Sequence, residues 1–443
     1  MNHIRSSNDP GSPPPPDWFP LCSLRSLRLE YVFLTAKITR NAKSSRPDNH
    51  SKLHRFLRCL LPLVALAFSV SVAPAQTIRP AATPAYHPAP FVHPGLLHTA
   101  ADLARMKQMV AAGREPWKSG FAKLAADPES SATWTPAPFE HVERSLLTGH
   151  AVGINEMNKD CNAAYQNALM WWITGDDAHA KKAVEILNAW SGRLKVFDGT
   201  DIELGAGIDG FKFANAAELM RNYPGWAPAD LARCRQMLLT IFYPPLQDFA
   251  LWAHGNWDIA CMKAMIAIGV FSDDHAMFDR AVDYYYHGQG NGAITHYVID
   301  DTGQVQESGR DQQHTQLGVG ELAETCQVAW SQGLDLYGAS DNRLLKGFEY
   351  VARFNLGENV PFAFHVDTSG RFPADRIATN FRGRLRPIYE MAYNHYAVLK
   401  GIPAPWTQKA AEKLRPEGAA AGADHPGFGT LLFSLPAPSP APR

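Results

Sequence analysis

Three stretches of the chain repeat one design: an apolar run at helical spacing, a short turn rich in Gly, Ser and Asp, and an amphipathic return. They are CNAAYQNALMWWI (161–173) with Gly175-Asp176-Asp177 and AHAKKAVEILNAW; IACMKAMIAIGVF (259–271) with Ser272-Asp273-Asp274 and HAMFDRAVDYYY; and CQVAWSQGLDLYG (326–338) with Ser340-Asp341-Asn342 and RLLKGFEYVARF. The short polar side chains of these turns accept from the first free N–H groups of the returning helix, so each unit reads as an α-hairpin. Weaker versions occupy 209–241 and 385–400. The units lack the fixed period of a solenoid, and period-2 strand patterns are missing. The expected fold is all-α, an incomplete (α/α) toroid of helical hairpins over 97–415. Residues 290–306 are the candidate β excursion or functional loop, and the Ala/Gly/Pro-rich 416–443 reads as a loose tail.

The charge balance, 42 Lys+Arg against 43 Asp+Glu with 46% apolar residues, excludes a basic nucleic-acid binder and a disordered chain. Near the N-terminus, a basic run (Lys52, His54, Arg55, Arg58) precedes an apolar stretch and Ala73-Pro74-Ala75. This is the pattern of a signal peptide over 52–75, cleaved after Ala75, and it implies a periplasmic or secreted protein with no membrane contact after cleavage. Residues 1–51 then read as an upstream extension, and 76–96 as a Pro-rich lead-in. Cys161, Cys234, Cys261 and Cys326 are widely spaced in apolar contexts and read as buried thiols. No CxxC or HExxH calls for a metal, and nothing calls for a cofactor.

Four places carry chemistry. In QESGRDQQHTQLGVGELAE, a helix starting near Glu307 or Ser308 puts Glu307, Arg310, Asp311 and His314 on one face, either as a functional cluster or as a salt-bridge network. In AHGNWD, His254 and Asn256 stand at a helix N-terminus, where free N–H groups favour anions. In NKDCNAAYQNALMWW, Asn158, Asn162, Tyr165 and Gln166 form a hydrogen-bonding stripe suited to sugar hydroxyls or to an interhelical seam. In RFPADRIATNFRGRLR, Arg371, Arg376, Arg382, Arg384 and Arg386 gather planar forks that bind carboxylates, with Tyr389 and Tyr393 on the helix that follows. The Gly205–Gly210 match to GxGxxG has no βαβ context and is set aside as a nucleotide site.

The hairpins, the signal peptide, AHGNW and ESGRDQQH together resemble the alginate-lyase-like polysaccharide lyases with (α/α) toroid catalytic domains, over roughly Leu97 to Gly401. That family carries Asn-His-x-x-Trp; here His254 and Trp257 keep the spacing and Ala253 replaces the Asn. It also carries Glu-x-x-Arg at a helix start, which Glu307 and Arg310 match. The Tyr that follows the Arg by two turns in well-known members is absent, since Gln316 and Leu317 stand there. The resemblance implies β-elimination on an acidic polysaccharide, alginate or a related polyuronate. Arg310, Asn256 and His254 would neutralise the sugar carboxylate, and His314 or Tyr297 would act as base. Asn162, Tyr165, Gln166, Trp257, Glu307, Arg382, Tyr389 and Tyr393 are the substrate-binding candidates. Two other readings stay open: a hydrolase pairing Glu307 with Asp209 or Asp311, and a non-catalytic sugar-binding protein with a Trp-rich platform.

Overall fold

The computed structural model describes residues 85–87 and 89–436, all within the compact unit Ala81–Arg443. The signal segment, the upstream extension and residues 437–443 lie outside the described residues. Helices dominate: α1 (Ala100–Ala111), α2 (Trp117–Ala125), α3 (Ile154–Thr174), α4 (Asp177–Arg193), α5 (Ile202–Met220), α6 (Pro228–Met237), α7 (Gly255–Ser272), α8 (His275–His287), α9 (Gln312–Ser331), α10 (Ala339–Asn355), α11 (Tyr389–Tyr393) and α12 (Pro405–Leu414).

The hairpins form where the turn chemistry placed them. Asp176 caps α4 by accepting from the Ala178 N–H, and Asp274 caps α8 by accepting from the Met277 N–H. Ser340, Asp341 and Asn342 each take a left-handed φ of 49–58° at the third turn, a conformation that short polar side chains tolerate. Helices α3, α5, α7, α9 and α11 form the inner wall, with α4, α6, α8, α10 and α12 returning outside them. Because each inner helix is followed by a reversing partner, the starts of the long inner helices gather at one end of the ring.

Nearly all of α7 is buried, which is why its sequence is apolar all round rather than on one stripe. The α5–α7 crossing is tight: a Cβ at Gly207 would run into the Ala260 backbone. The other glycines of 205–210 lie inside α5 against different neighbours, Gly205 facing Arg144 and Phe197 and Gly210 facing Phe242.

Two features depart from the sequence expectation. A three-stranded sheet of β1 (His141–Ser145), β2 (His150–Val152) and β3 (Val196–Asp198) sits at the starts of α3 and α5, in the order β2-β1-β3. β1 pairs antiparallel with β2 and parallel with β3. These strands are too short to show a period. The excursion at 290–306 is reduced to a helical turn, Ile294–Tyr297, and a single bridge between Val298 and Val305.

The segment after Pro416 is packed, not loose, as far as residue 436: Glu417, Ala423, His425 and Phe428 are all buried. It runs between the inner helices and is gripped by their polar side chains. Asn162 donates to the Gly422 carbonyl at 2.7 Å, Lys212 to His425 O at 2.8 Å and Lys263 to Asp424 O at 2.9 Å. Arg386 pairs with the Asp424 carboxylate at 2.8 Å. The four cysteines of this unit are buried free thiols.

Candidate active site

α9 starts later than its sequence suggests. Gln306–Gly309 form a 3-10 turn, and Asp311, at φ −172°, caps a helix whose first residue is Gln312. Glu307, Arg310, Asp311 and His314 therefore do not share a face of one helix. They meet because the turn folds back onto the cap, fixed by Thr315 Oγ1 donating to Glu307 O at 2.9 Å.

Glu307 is the hub of the cluster. Its fully buried carboxylate accepts from Asn256 Nδ2 (2.7 Å), Asn256 N (3.1 Å), Tyr297 OH (3.0 Å) and Arg310 Nη1 (2.8 Å). A buried carboxylate needs this many donors. The Tyr297 ring is wedged between Gly255 and Gly318, where any Cβ would overlap it.

Asp311 divides its two oxygens. Oδ1 accepts from the N–H groups of Gln313 (2.9 Å) and His314 (2.8 Å), and Oδ2 holds His314 Nδ1 at 2.6 Å. Burial alone would lift the Asp311 pKa, but the bonds from His314 outweigh it and bring it down to about 2. With a carboxylate on Nδ1, the ring keeps its proton there and presents the Nε2 lone pair, which lies 3.2 Å from Arg310 Nη2. The His314 side chain is 37% exposed and that of Arg310 29%, so both reach solvent.

His254, the residue before α7, is held in the opposite tautomer. Gln306 Oε1 accepts from the Gly255 N–H at 3.0 Å, which turns its Nε2 toward His254 Nδ1 at 3.3 Å. Nδ1 is therefore an acceptor and the ring hydrogen sits on Nε2. The ring stacks on Phe372 at 3.6 Å. Burial lowers the His254 pKa, and Arg310 and His314 add to the depression against the opposing pull of Glu307 and Asp367. His254 is a neutral hydrogen-bond donor near pH 7.

The structure thus brings His254, Asn256, Glu307, Arg310, His314 and Tyr297 together, but it alters two of their expected roles. Tyr297 is sealed, with its phenol pushed well above its usual range by burial and by Glu307, so it cannot meet a substrate carbon. Asn256 is also fully buried and spends its amide on Glu307; it anchors the hub and does not reach a sugar carboxylate.

Several substrate-binding candidates have structural duties instead. Tyr165 is buried against His98 (2.7 Å), and Gln166 is buried behind Glu129. Trp257 packs with Ala250 and Ala253 and meets Trp252 edge-on. Arg382 lies on the Phe354 ring and donates to the carbonyls of Phe354 and Glu358. Tyr389 is buried and donates to Gln316 Oε1. Tyr393 ends α11, beside Arg415 and Pro116, in a separate cavity.

Of that stripe, Asn158 and Asn162 line an open cavity, of about 650 Å³, at the start of α3. The Arg-rich loop is tied down through backbone bonds from Gln312, Gln313 and Gln316 to Asn380, Ala378 and Arg384. From it, Arg371 reaches the site rim, over the exposed Trp252 and over Phe372. Gln306 and Phe372 were missed as site residues, since neither carries a motif, whereas Arg371 stood in the Arg-rich stretch that the sequence had marked for carboxylates.

A sequence model of the alginate lyase family matches residues 147–362, a span that includes both arms of this cluster. Over these residues the chain is similar to the alginate lyases. Among solved structures, an alginate lyase from Bacteroides ovatus superposes with a TM-score of 0.54 at 14% identity, covering 78% of this chain and 100% of that one. Alginate lyase A1-III from Sphingomonas species A1 gives 0.56 at 14% identity, covering 76% and 95%. A tyrosine-to-phenylalanine variant of A1-III, complexed with a tetrasaccharide, gives 0.55 at 16%, covering 76% and 94%. These likenesses establish the toroid as a shared fold. No curated protein matches the chain in sequence. In this toroid, Glu307 and Asp209 are both buried and already bonded, and Asp311 is spent as a cap. Neither pairing expected for a hydrolase, Glu307 with Asp209 or with Asp311, is therefore open.

Proposed function

We propose that the chain is an exported polysaccharide lyase that cleaves a uronate-containing polysaccharide by β-elimination, with His314 as its base. The observation that carries this reading is the opposed setting of the two histidines. Asp311 holds the ring proton on His314 Nδ1 and so makes Nε2 the basic nitrogen, which accepts from Arg310 Nη2 at 3.2 Å, while Gln306 leaves His254 Nε2–H free to donate a hydrogen bond. The solved alginate lyases of similar fold, one complexed with a tetrasaccharide, support a sugar polymer as the occupant of such a ring.

The C5 hydrogen of a uronate is too weakly acidic to leave while the adjacent carboxylate keeps its charge. Arg310 and the His254 Nε2–H face that carboxylate and stabilise the enolate that develops. His314 Nε2 takes the C5 proton, the freed electron pair forms the C4=C5 double bond, and the C4–O4 bond breaks. The departing O4 needs a proton, and neutral His254 is far too weak an acid to supply one. The His314 imidazolium therefore returns the proton it has just taken. A single carrier requires the C5 hydrogen and O4 on the same face of the ring, so mannuronate and glucuronate linkages react and their C5 epimers do not.

Incubation with polymannuronate, polyguluronate, glucuronan and hyaluronan under ultraviolet light tests the reading, because elimination creates a conjugated chromophore. Reducing ends without the chromophore would overturn it in favour of hydrolysis. Arg310→Ala is expected to abolish the signal with circular dichroism unchanged. Export rests on the signal pattern of 52–75; N-terminal sequencing of exported protein beginning at Gln76 is the expected outcome.

A further inference from the structure

The cavity of about 650 Å³ at the start of α3 is the size of a small-ligand site, and its chemistry differs from that of the histidine cluster. We propose that it is a subsite for a sugar unit without a carboxylate, so that the substrate alternates uronates with neutral or amino sugars. This rests on the lyase reading and adds the substrate class to it.

The cavity belongs to the same end of the ring as the histidines, since α3, α5, α7 and α9 all begin there. Asn158 of α3 reaches Asp209 of α5 once its amide is turned to donate, at 2.7 Å, and Leu204 of α5 packs on the Trp257 cluster of α7. Two interhelical steps of 8–10 Å separate α3 from α7, roughly 16–20 Å, a span for an oligosaccharide.

The cavity wall carries a ring platform. Trp134 lines it half-buried, and its indole N–H is held by Asp160 at 2.7 Å, which fixes the ring plane. Such a face suits the C–H side of a sugar. Around it stand Asp127, Glu129 and Glu156 against one cation, Lys159. Among the described residues none of these four forms an ion pair. Asn162 is already spent on Gly422 and Lys212; Asp127 Oδ1 accepts from the Glu129 N–H and Glu129 Oε2 from Gln166, so the acceptors left to a ligand are Glu156, the second oxygens of Asp127 and Glu129, and Asn155. Carboxylates accept from hydroxyls or from an ammonium and repel a uronate. At the histidine cluster, Arg310 and Arg371 supply positive charge instead. A homopolymer of uronates would satisfy only one of the two places.

The test pairs turnover with binding. Wild type is expected to cleave hyaluronan, which alternates glucuronate with a neutral sugar, with kcat/KM about tenfold above that for glucuronan. The Glu129→Gln/Glu156→Gln variant is expected to erase that preference by lowering KM for glucuronan, with kcat held. A partly N-deacetylated hyaluronan separates an ammonium preference, with a further gain in kcat/KM, from a purely neutral one. Independently of turnover, the tryptophan fluorescence of wild type, with Trp134→Phe as control, is titrated with neutral cello-oligosaccharides and with oligoglucuronates. Quenching by the neutral series alone supports the subsite. Equal or tighter binding of oligoglucuronates at Trp134, or unchanged preference in the double variant, overturns it. Absence of the chromophore on every polymer overturns the lyase reading, and the fluorescence titration then decides the subsite by itself.

Discussion

Glu307, Asp311, Arg310 and His314 at the start of α9 combine two carboxylates, a cation and an imidazole. Glu321, Glu324, Lys263 and His425 combine the same groups further along the ring. In the second set, Lys263 lies 3.1 Å from Glu321 and 2.9 Å from Glu324, and His425 Nδ1 lies 2.7 Å from Glu324. The side chains of all four are 0–1% exposed, and Lys263 holds the Asp424 carbonyl. In the first set, His314 and Arg310 keep an open edge. Composition therefore does not make a site; access does. The sealed set locks the C-terminal segment between the inner helices, and the open set keeps Arg310 and His314 within reach of solvent, at 29% and 37% side-chain exposure.

The contrast predicts that changes in the open set remove activity at constant stability, while changes in the sealed set do the reverse. The largest effect is expected for His314→Ala, a loss of about 10³ in kcat for a missing general base, with the melting temperature within a degree or two of wild type. Asp311→Asn keeps the cap but releases the tautomer of His314; kcat is expected to fall about a hundredfold with KM nearly unchanged. An Asp311→Asn enzyme of full activity would remove His314 from the proposed role.

In the sealed set, Lys263→Met leaves two carboxylates facing one another without their cation, and a loss of about 3–5 kcal/mol is expected by denaturant unfolding. The surviving folded fraction should keep its pH–rate profile. A changed profile would mean that the axis communicates with the cleft.

The smallest effect concerns Glu321. Burial, which Lys263 only partly offsets, pushes its pKa up to about 8, above the unfolded value. Such a group favours the fold at low pH, and its contribution is lost as pH rises through about 8. Glu321→Gln is therefore expected to match wild type near pH 5 and to melt about 2 °C higher near pH 9. The opposite sign would mean that the ionised carboxylate is the stabilised form.

Much of this was legible in the residues. Apolar runs closed by Asp-containing turns specify hairpins locally, because capping and burial act within a few residues of the chain. The spacing of Glu307 and Arg310, and of His254 and Trp257, marked the two arms of the site. The helix register at Glu307 was not legible: the residues favour a helix from there, but Asp311 gains more by capping and holding His314, so α9 begins at Gln312. Nor was the fate of Tyr297 and Asn256, whose types suit catalysis and whose burial suits support.

The sequence by itself determined the helical hairpins and which side chains could carry charge into a ring, because periodicity and capping are short-range. Tertiary structure alone decided that a carboxylate from the 3-10 turn would gather donors from 256, 297 and 310, that 417–428 would run between the inner helices, and which histidine nitrogen stays bare. Asp311 and Arg310 act within three residues of their partners. The Asn256 donor to Glu307 and the Gln306 amide beside His254 come from 51 and 52 residues away, and no short window along the chain contains them or the desolvation.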